Sequence, residues 1–228
     1  MNFLLHHAFA YGETGSSLAA VGAMLPDFWR MVHPRVRARA SVVSDAVGGA
    51  LDLGIAHHLA VDAWFHATDV FRCGEKRLAT ELRAVSVPKL GLFAHVAWEL
   101  CLDGAWVRHI DPLPVLRDGW TRAGDAVERL AEDHGVARLD AVERARFHGS
   151  MRRVRDGLLE GEWIRGYADG DGLAERVESM RTRRFGMPPL DRAARSQVKD
   201  ALVRASERAD GALEALFVER ARGRVGSP

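Results

Sequence analysis

The stretch Gly54-Ile55-Ala56-His57-His58-Leu59-Ala60-Val61-Asp62-Ala63-Trp64-Phe65-His66 limits what this chain can become more than any other. It is apolar enough to belong inside a fold, yet a titratable group recurs at every fourth position from His58. On an α-helix four residues advance about 400°, so His58, Asp62 and His66 drift by only about 40° per step and share one face. Burying an aspartate in such a helix is costly unless a compensating charge meets it, and a metal ion supplies that charge.

A second apolar stretch repeats the device. His95-Val96-Ala97-Trp98-Glu99 again sets a histidine and a carboxylate at i, i+4. Two helices that each present such a pair can close a shared metal site between them, as helix-bundle metal centres do. Neutral imidazole with carboxylate oxygen suits Zn, Mn or Fe, and a carboxylate can bridge two ions. Asp62, central between His58 and His66, is the expected bridging ligand. His7 and His57 lie about 100° round the helix from their neighbours and read as supporting or surface groups. Asp27, after Pro26, reads locally as a turn residue or cap, and His6 as a core histidine near the chain start.

The rest of the chain reads as helix, with no sustained period-2 alternation that would indicate a sheet. Ser16-Ser17 can cap a helix through Leu18, Val21 and Leu25 that Pro26 ends or kinks. Residues 46–69 and about 88–110, the latter with Pro88 in its first turn, are the central apolar helices. Charged, amphipathic helices follow over roughly 114–133, 139–158, 171–184 and 190–220, and in the last Val198, Leu202, Ala205, Ala209, Leu213 and Leu216 form one apolar stripe. The fold class expected is all-α, a single-domain helical bundle over 1–222 with a flexible tail at 223–228.

Composition narrows the function classes. With 32 Lys+Arg against 31 Asp+Glu in 228 residues, no general electrostatic pull draws the chain to nucleic acid or anionic lipid. Two cysteines make no disulfide framework, no basic leader opens the chain, and no run approaches the roughly 18 apolar residues of a membrane span, so a cytoplasmic setting is expected. Eight of the ten histidines fall within the first 110 residues, which places the chemistry there. His33, His109, His134 and His148 sit among charges and are expected to be solvated.

Met1-Asn2-Phe3-Leu4 followed by His6, then Ser16-Ser17-Leu18, Leu25-x-Asp27-Phe28, Gly54-Ile55 with His58-x3-Asp62, and Trp98-Glu99 with Leu102 and Trp106 together resemble the acyl carrier protein phosphodiesterase family. Later in the chain Trp163-x3-Tyr167-x-Asp169-x-Asp171, Met180 and Arg183-Arg184 look like that family's second block. The resemblance implies an all-helical fold related to the HD-type metal-dependent phosphohydrolases. It implies that His6, Asp27, His58 and Asp62 lie at the metal centre, with Glu99 where the family has Asp. It also implies Mn- or Mg-assisted removal of phosphopantetheine from holo acyl carrier protein.

Two departures matter. The family carries aspartates where this chain has His66 and His95, so Zn, Fe or Mn is expected over Mg, with one or two ions per chain. The basic pair after the family's histidine is Leu59-Ala60 here, so the chemistry transfers better than the phosphorylated protein substrate does. The set His-x3-Asp-x3-His with His-x3-Glu also resembles the ligand logic of zinc-dependent phospholipase C and related helical nucleases. Phosphoric diester hydrolysis by a metal-activated water is therefore the expected activity, with Asp27 as ligand or as base and Arg183 and Arg184 either neutralising phosphate charge or forming a solvated basic turn. An HD-type di-iron oxygenase acting on a small metabolite, a phospholipase C-like hydrolase of another phosphate ester and a helical binding protein with structural histidines are the alternatives.

Overall fold

Helix starts and stops are written locally along most of the chain. The computed structural model describes residues 3–39 and 45–225, with the side chains of Glu162, Arg184, Arg224 and Val225 outside that description, and no strand occurs among the described residues. Helix α1 spans Phe3–Thr14 and α2 Ser17–Val32, the latter capped by Ser16, whose hydroxyl accepts from the Ala19 amide at 3.2 Å. Pro26 lies inside α2 and does not end it. It costs one backbone hydrogen bond, and burial of Met24, Leu25, Phe28 and Trp29 on either side holds the helix together.

Helix α3 spans Ala46–Ala67, and Thr68 then caps a further amphipathic helix, α4 (Asp69–Ala84), by accepting from the Phe71 amide. The helix expected from Pro88 begins later. Lys89 takes a left-handed conformation with φ 63°, a 3-10 turn covers Leu90–Phe93, and α5 spans Ala94–His109. The segment read as one helix over 114–133 is two, α6 (Leu113–Ala123) and α7 (Ala126–Asp133), parted at Gly124 with φ 48°. A capping box of Asp140 and Glu143 starts α8 (Ala141–Glu160). Then follow α9 (Glu162–Tyr167), α10 (Gly170–Ser179) with Asp169 as its cap, a π-helical turn Met180–Arg184, and α11 (Arg192–Val225). Thus α11 runs into the segment expected as a tail, whose residues 226–228 lie outside the described residues.

The elements gather into two compact units. One, the α2 unit, is made of Phe3–Ala63 and Asp111–Trp163; the other, the α5 unit, of Trp64–Ile110 and the chain from Ile164 onward. In the α2 unit, α2 packs on α1, α6 and α8. Its contact with α3 is backbone to backbone: a Cβ at Gly22 would run into the Leu51 carbonyl, and one at Gly54 into the Ala19 carbonyl. Only glycine permits that approach on both helices. It carries His58, one turn beyond Gly54, up to the backbone of α2.

In the α5 unit, α5 packs on α4, α10 and α11. The stripe Val198, Leu202, Ala205, Ala209, Leu213 and Leu216 is buried as its spacing predicts. Gly74 of α4 leaves room for the indole of Trp98, which keeps α4 close to the face of α5 that carries His95 and Glu99. No helix among the described residues is long and apolar enough to cross a membrane.

Candidate metal-binding sites

In the α2 unit, His6 from α1, Asp27 from α2 and His58 from α3 each offer a ligand atom, and these atoms all lie within 4.8 Å of one another. The apolar run Phe3–Ala10 buries α1, and with it His6, which is 1% exposed. Neither ring nitrogen of His6 has a hydrogen-bond partner among the described residues. A buried polar group left so costs about 1–3 kcal/mol. His58 differs in being held: its Nδ1 lies 2.9 Å from the Ala23 carbonyl oxygen. A carbonyl can only accept, so Nδ1 carries the proton and Nε2 keeps a lone pair.

Burial pushes the His58 imidazole down to about 4, helped by the charge of His6 and opposed by Asp27 and Asp62. It is therefore neutral at pH 7, the form a metal needs. The two imidazoles lie with ring centroids 3.9 Å apart. Asp27 is half-buried, and Asp62 Oδ1 stands 3.7 Å from His6 Nε2 with its side chain 45% exposed. Asp62 falls outside the three-residue grouping.

In the α5 unit, His66, His95 and Glu99 form a second group on the same distance criterion. Glu99 is buried, and its Oε1 lies 3.5 Å from His66 Nε2 and 3.4 Å from His95 Nε2. The His66 and His95 rings stack at 4.8 Å, and the buried Phe71 meets both edge-on. The hydrogen bond to Glu99 raises the His95 imidazole, burial works against it, and the charges of Glu99 and Glu75 add to the rise. Glu75 of α4 completes the surroundings, with its Oε1 3.2 Å from His95 Nδ1.

The sequence reading gathers His6, Asp27, His58, Asp62, His66, His95 and Glu99 into one site. The structure gathers six of them as two groups of three, one within each unit, with Asp62 beside the first. Glu75 escapes sequence reasoning because α4 is polar and its glutamate has no histidine at i±4. The only local signal is Thr68-Asp69, a helix start that would have placed Glu75 on a helix.

Other candidates are placed as follows. His134, expected to be solvated, is 1% exposed: its Nδ1 accepts the Arg39 amide at 3.0 Å and its ring lies 4.8 Å from that of Trp29. His148 and His33 are also largely covered, against Glu132 and Glu143, whereas His109 is exposed beside Asp210. His7 is buried, and burial pushes it to about 4. His57 pairs with Glu13 at 3.1 Å. Arg183 is exposed on the π-helical turn, the side chain of Arg184 lies outside the described residues, and the buried arginine of that turn is Arg181, which donates to the Pro188 carbonyl at 3.3 Å.

The donor sets fit a borderline divalent ion. Each pairs two imidazoles with one carboxylate, the α2-unit group holds two unsatisfied buried nitrogens, and His58 already points its protonated nitrogen away. No family model, no curated protein and no solved structure matches the chain.

Proposed function

We propose that the chain is a metal-dependent hydrolase of phosphoric esters, with His6, Asp27 and His58 holding one divalent ion and His66, His95 and Glu99 a second. One observation supports this reading above all. Among the described residues, His6 is buried with neither ring nitrogen hydrogen-bonded, beside a second buried imidazole whose own Nδ1 is committed to a carbonyl. An ion bound there would relieve that cost, and would supply Lewis acidity toward a phosphoryl oxygen and toward water. Phosphoric ester as the substrate class rests on the resemblance in sequence blocks, in which His6, Asp27, His58 and Asp62 all take part.

The residues divide the work. The Ala23 carbonyl fixes the His58 tautomer and so the direction of its Nε2 lone pair. Asp27, half-buried at the carboxyl side of Pro26, contributes the anionic ligand. Asp62, more exposed than the ligands and adjacent to His6, is placed to accept a proton from an attacking water. Phe3 on α1 and Phe28, next to Asp27 on α2, are buried with ring centroids 4.9 Å apart.

The experiment is hydrolysis by the chelator-stripped full-length chain reloaded with Zn²⁺, Mn²⁺ or Fe²⁺. Substrates are bis(4-nitrophenyl) phosphate and holo acyl carrier protein, the latter read by loss of the phosphopantetheine mass. Hydrolysis of either that appears only with added ion and is lost in Asp62→Asn supports the reading. A loaded chain inert toward both, or one consuming dioxygen with Fe²⁺, overturns it.

A further inference from the structure

We infer that Glu75 is a positioning residue for the second ion: it holds His95 Nδ1 and sets the charge of the α5-unit group. The inference rests on the reading above that His66, His95 and Glu99 bind a divalent cation. His95 is flanked by two carboxylates, Glu75 Oε1 at 3.2 Å from Nδ1 and Glu99 Oε1 at 3.4 Å from Nε2. Glu99 belongs to the α5-unit group and Glu75 stands outside it, so the two nitrogens would differ once an ion is bound. With Nε2 and Glu99 given to the ion, the one proton of the neutral ring would sit on Nδ1, where the Glu75 carboxylate accepts it.

Three features make this more than a surface ion pair. The His95 side chain is 44% exposed but stacks on His66 at 4.8 Å and meets Phe71 at its edge, so the Glu75 contact adds a third restraint on the ring. Glu75 sits on α4, one turn beyond Phe71, so the aromatic wall and the carboxylate come from one rigid helix capped by Thr68. Gly74, next to it, is the close approach to Trp98 that fixes the spacing of α4 from α5. Charge is the third. Glu75 adds a second carboxylate beside a group that already holds Glu99, which favours a bound cation. A histidine ligand backed by a carboxylate is a better donor, and losing such a partner commonly costs roughly tenfold to a hundredfold in metal affinity.

The test is a Zn²⁺ titration, against a competing chromophoric chelator, of the full-length chain carrying His6→Ala, so that the α5-unit group is read alone. In that background Glu75→Ala is expected to weaken Zn²⁺ binding roughly tenfold to a hundredfold. Glu75→Gln, which keeps an acceptor and loses the charge, is expected to fall between the two. The thermal midpoint of the metal-stripped protein controls for folding, since a merely structural residue would lower that midpoint and leave affinity alone. Unchanged affinity in Glu75→Ala while the parent binds Zn²⁺ overturns the role of Glu75 and spares the second site. A parent that binds no Zn²⁺ while the unmutated chain binds one ion overturns the second site itself. No binding by the unmutated chain overturns both this inference and the hydrolase reading.

Discussion

His58 Nδ1 lies 2.9 Å from the carbonyl oxygen of Ala23, and that contact exists because Gly22 and Gly54 let the backbones of α2 and α3 meet. The direction of a candidate ligand on α3 is thus set by two residues with no side chain. Sequence patterning makes the histidine visible, while the close approach that requires glycine at 22 and 54 is a tertiary feature.

The first prediction follows from that approach. Gly54→Ala would put a methyl group into the Ala19 carbonyl, so the helices must separate or the site must distort. Overpacking of this kind costs about 1–3 kcal/mol or more. Urea denaturation should show that loss, and the chain should bind one fewer equivalent of Zn²⁺. Wild-type stability with full metal content would show that α2 and α3 do not meet at these glycines.

His6→Phe should separate stability from metal binding. Replacing a buried imidazole without hydrogen bonds by an apolar ring of similar shape removes a penalty of about 1–3 kcal/mol in the metal-stripped protein. The variant should be as stable as or more stable than the parent in chelator and should lose the ion of the α2 unit. Strong destabilisation in chelator would mean that His6 has a structural partner.

The pH dependence of the stripped protein has a defined sign. His7 is held near 4 by burial against an ordinary 6.5, so the unfolded chain takes up its proton first as pH falls. Stability is present in full above pH 6.5 and declines between there and about pH 4, by about 3 kcal/mol for a group shifted this far. His58 adds to the same decline in the same window. The gap between urea midpoints at pH 7 and pH 5 should narrow in His7→Leu, with the His58 share remaining; an unchanged gap in that variant would remove His7 from the account of acid sensitivity.

Asp62 gives a division of labour to check. Because it stands outside the grouping of His6, Asp27 and His58 and is 45% exposed, Asp62→Ala should keep most of the bound metal. Turnover should fall by about 10²–10⁴, the range for loss of a general base. Asp27→Ala should lose metal and turnover together. Equal metal loss in both variants would return Asp62 to the ligand set.

Most helices and the candidates His58, Asp62, His66, His95 and Glu99 were legible because each follows from short-range spacing, as do the stripe of α11 and the Ser16 cap, whereas His6 and Asp27 entered only through the resemblance in sequence blocks. Other features depended on tertiary context. Pro26 is carried through α2 by the packing of Leu25, Phe28 and Trp29, which local propensity cannot register. His134 lies in a charged stretch yet faces Trp29, so local polarity pointed the wrong way. The sorting of six ligand candidates into two groups turns on where the chain passes from one unit to the other near Ala63 and Trp64, which no periodicity marks. Glu75 needed α4, and α4 is announced only by Thr68.

Metal binding in two separate groups is the claim on which the hydrolase reading depends, and counting equivalents tests it most directly. Zn²⁺ titrated into the chelator-stripped full-length chain should saturate at two equivalents, falling to one in His6→Ala with Asp27→Ala and to one in His95→Ala with Glu99→Ala. Saturation at none, or two equivalents persisting in either double variant, would contradict it.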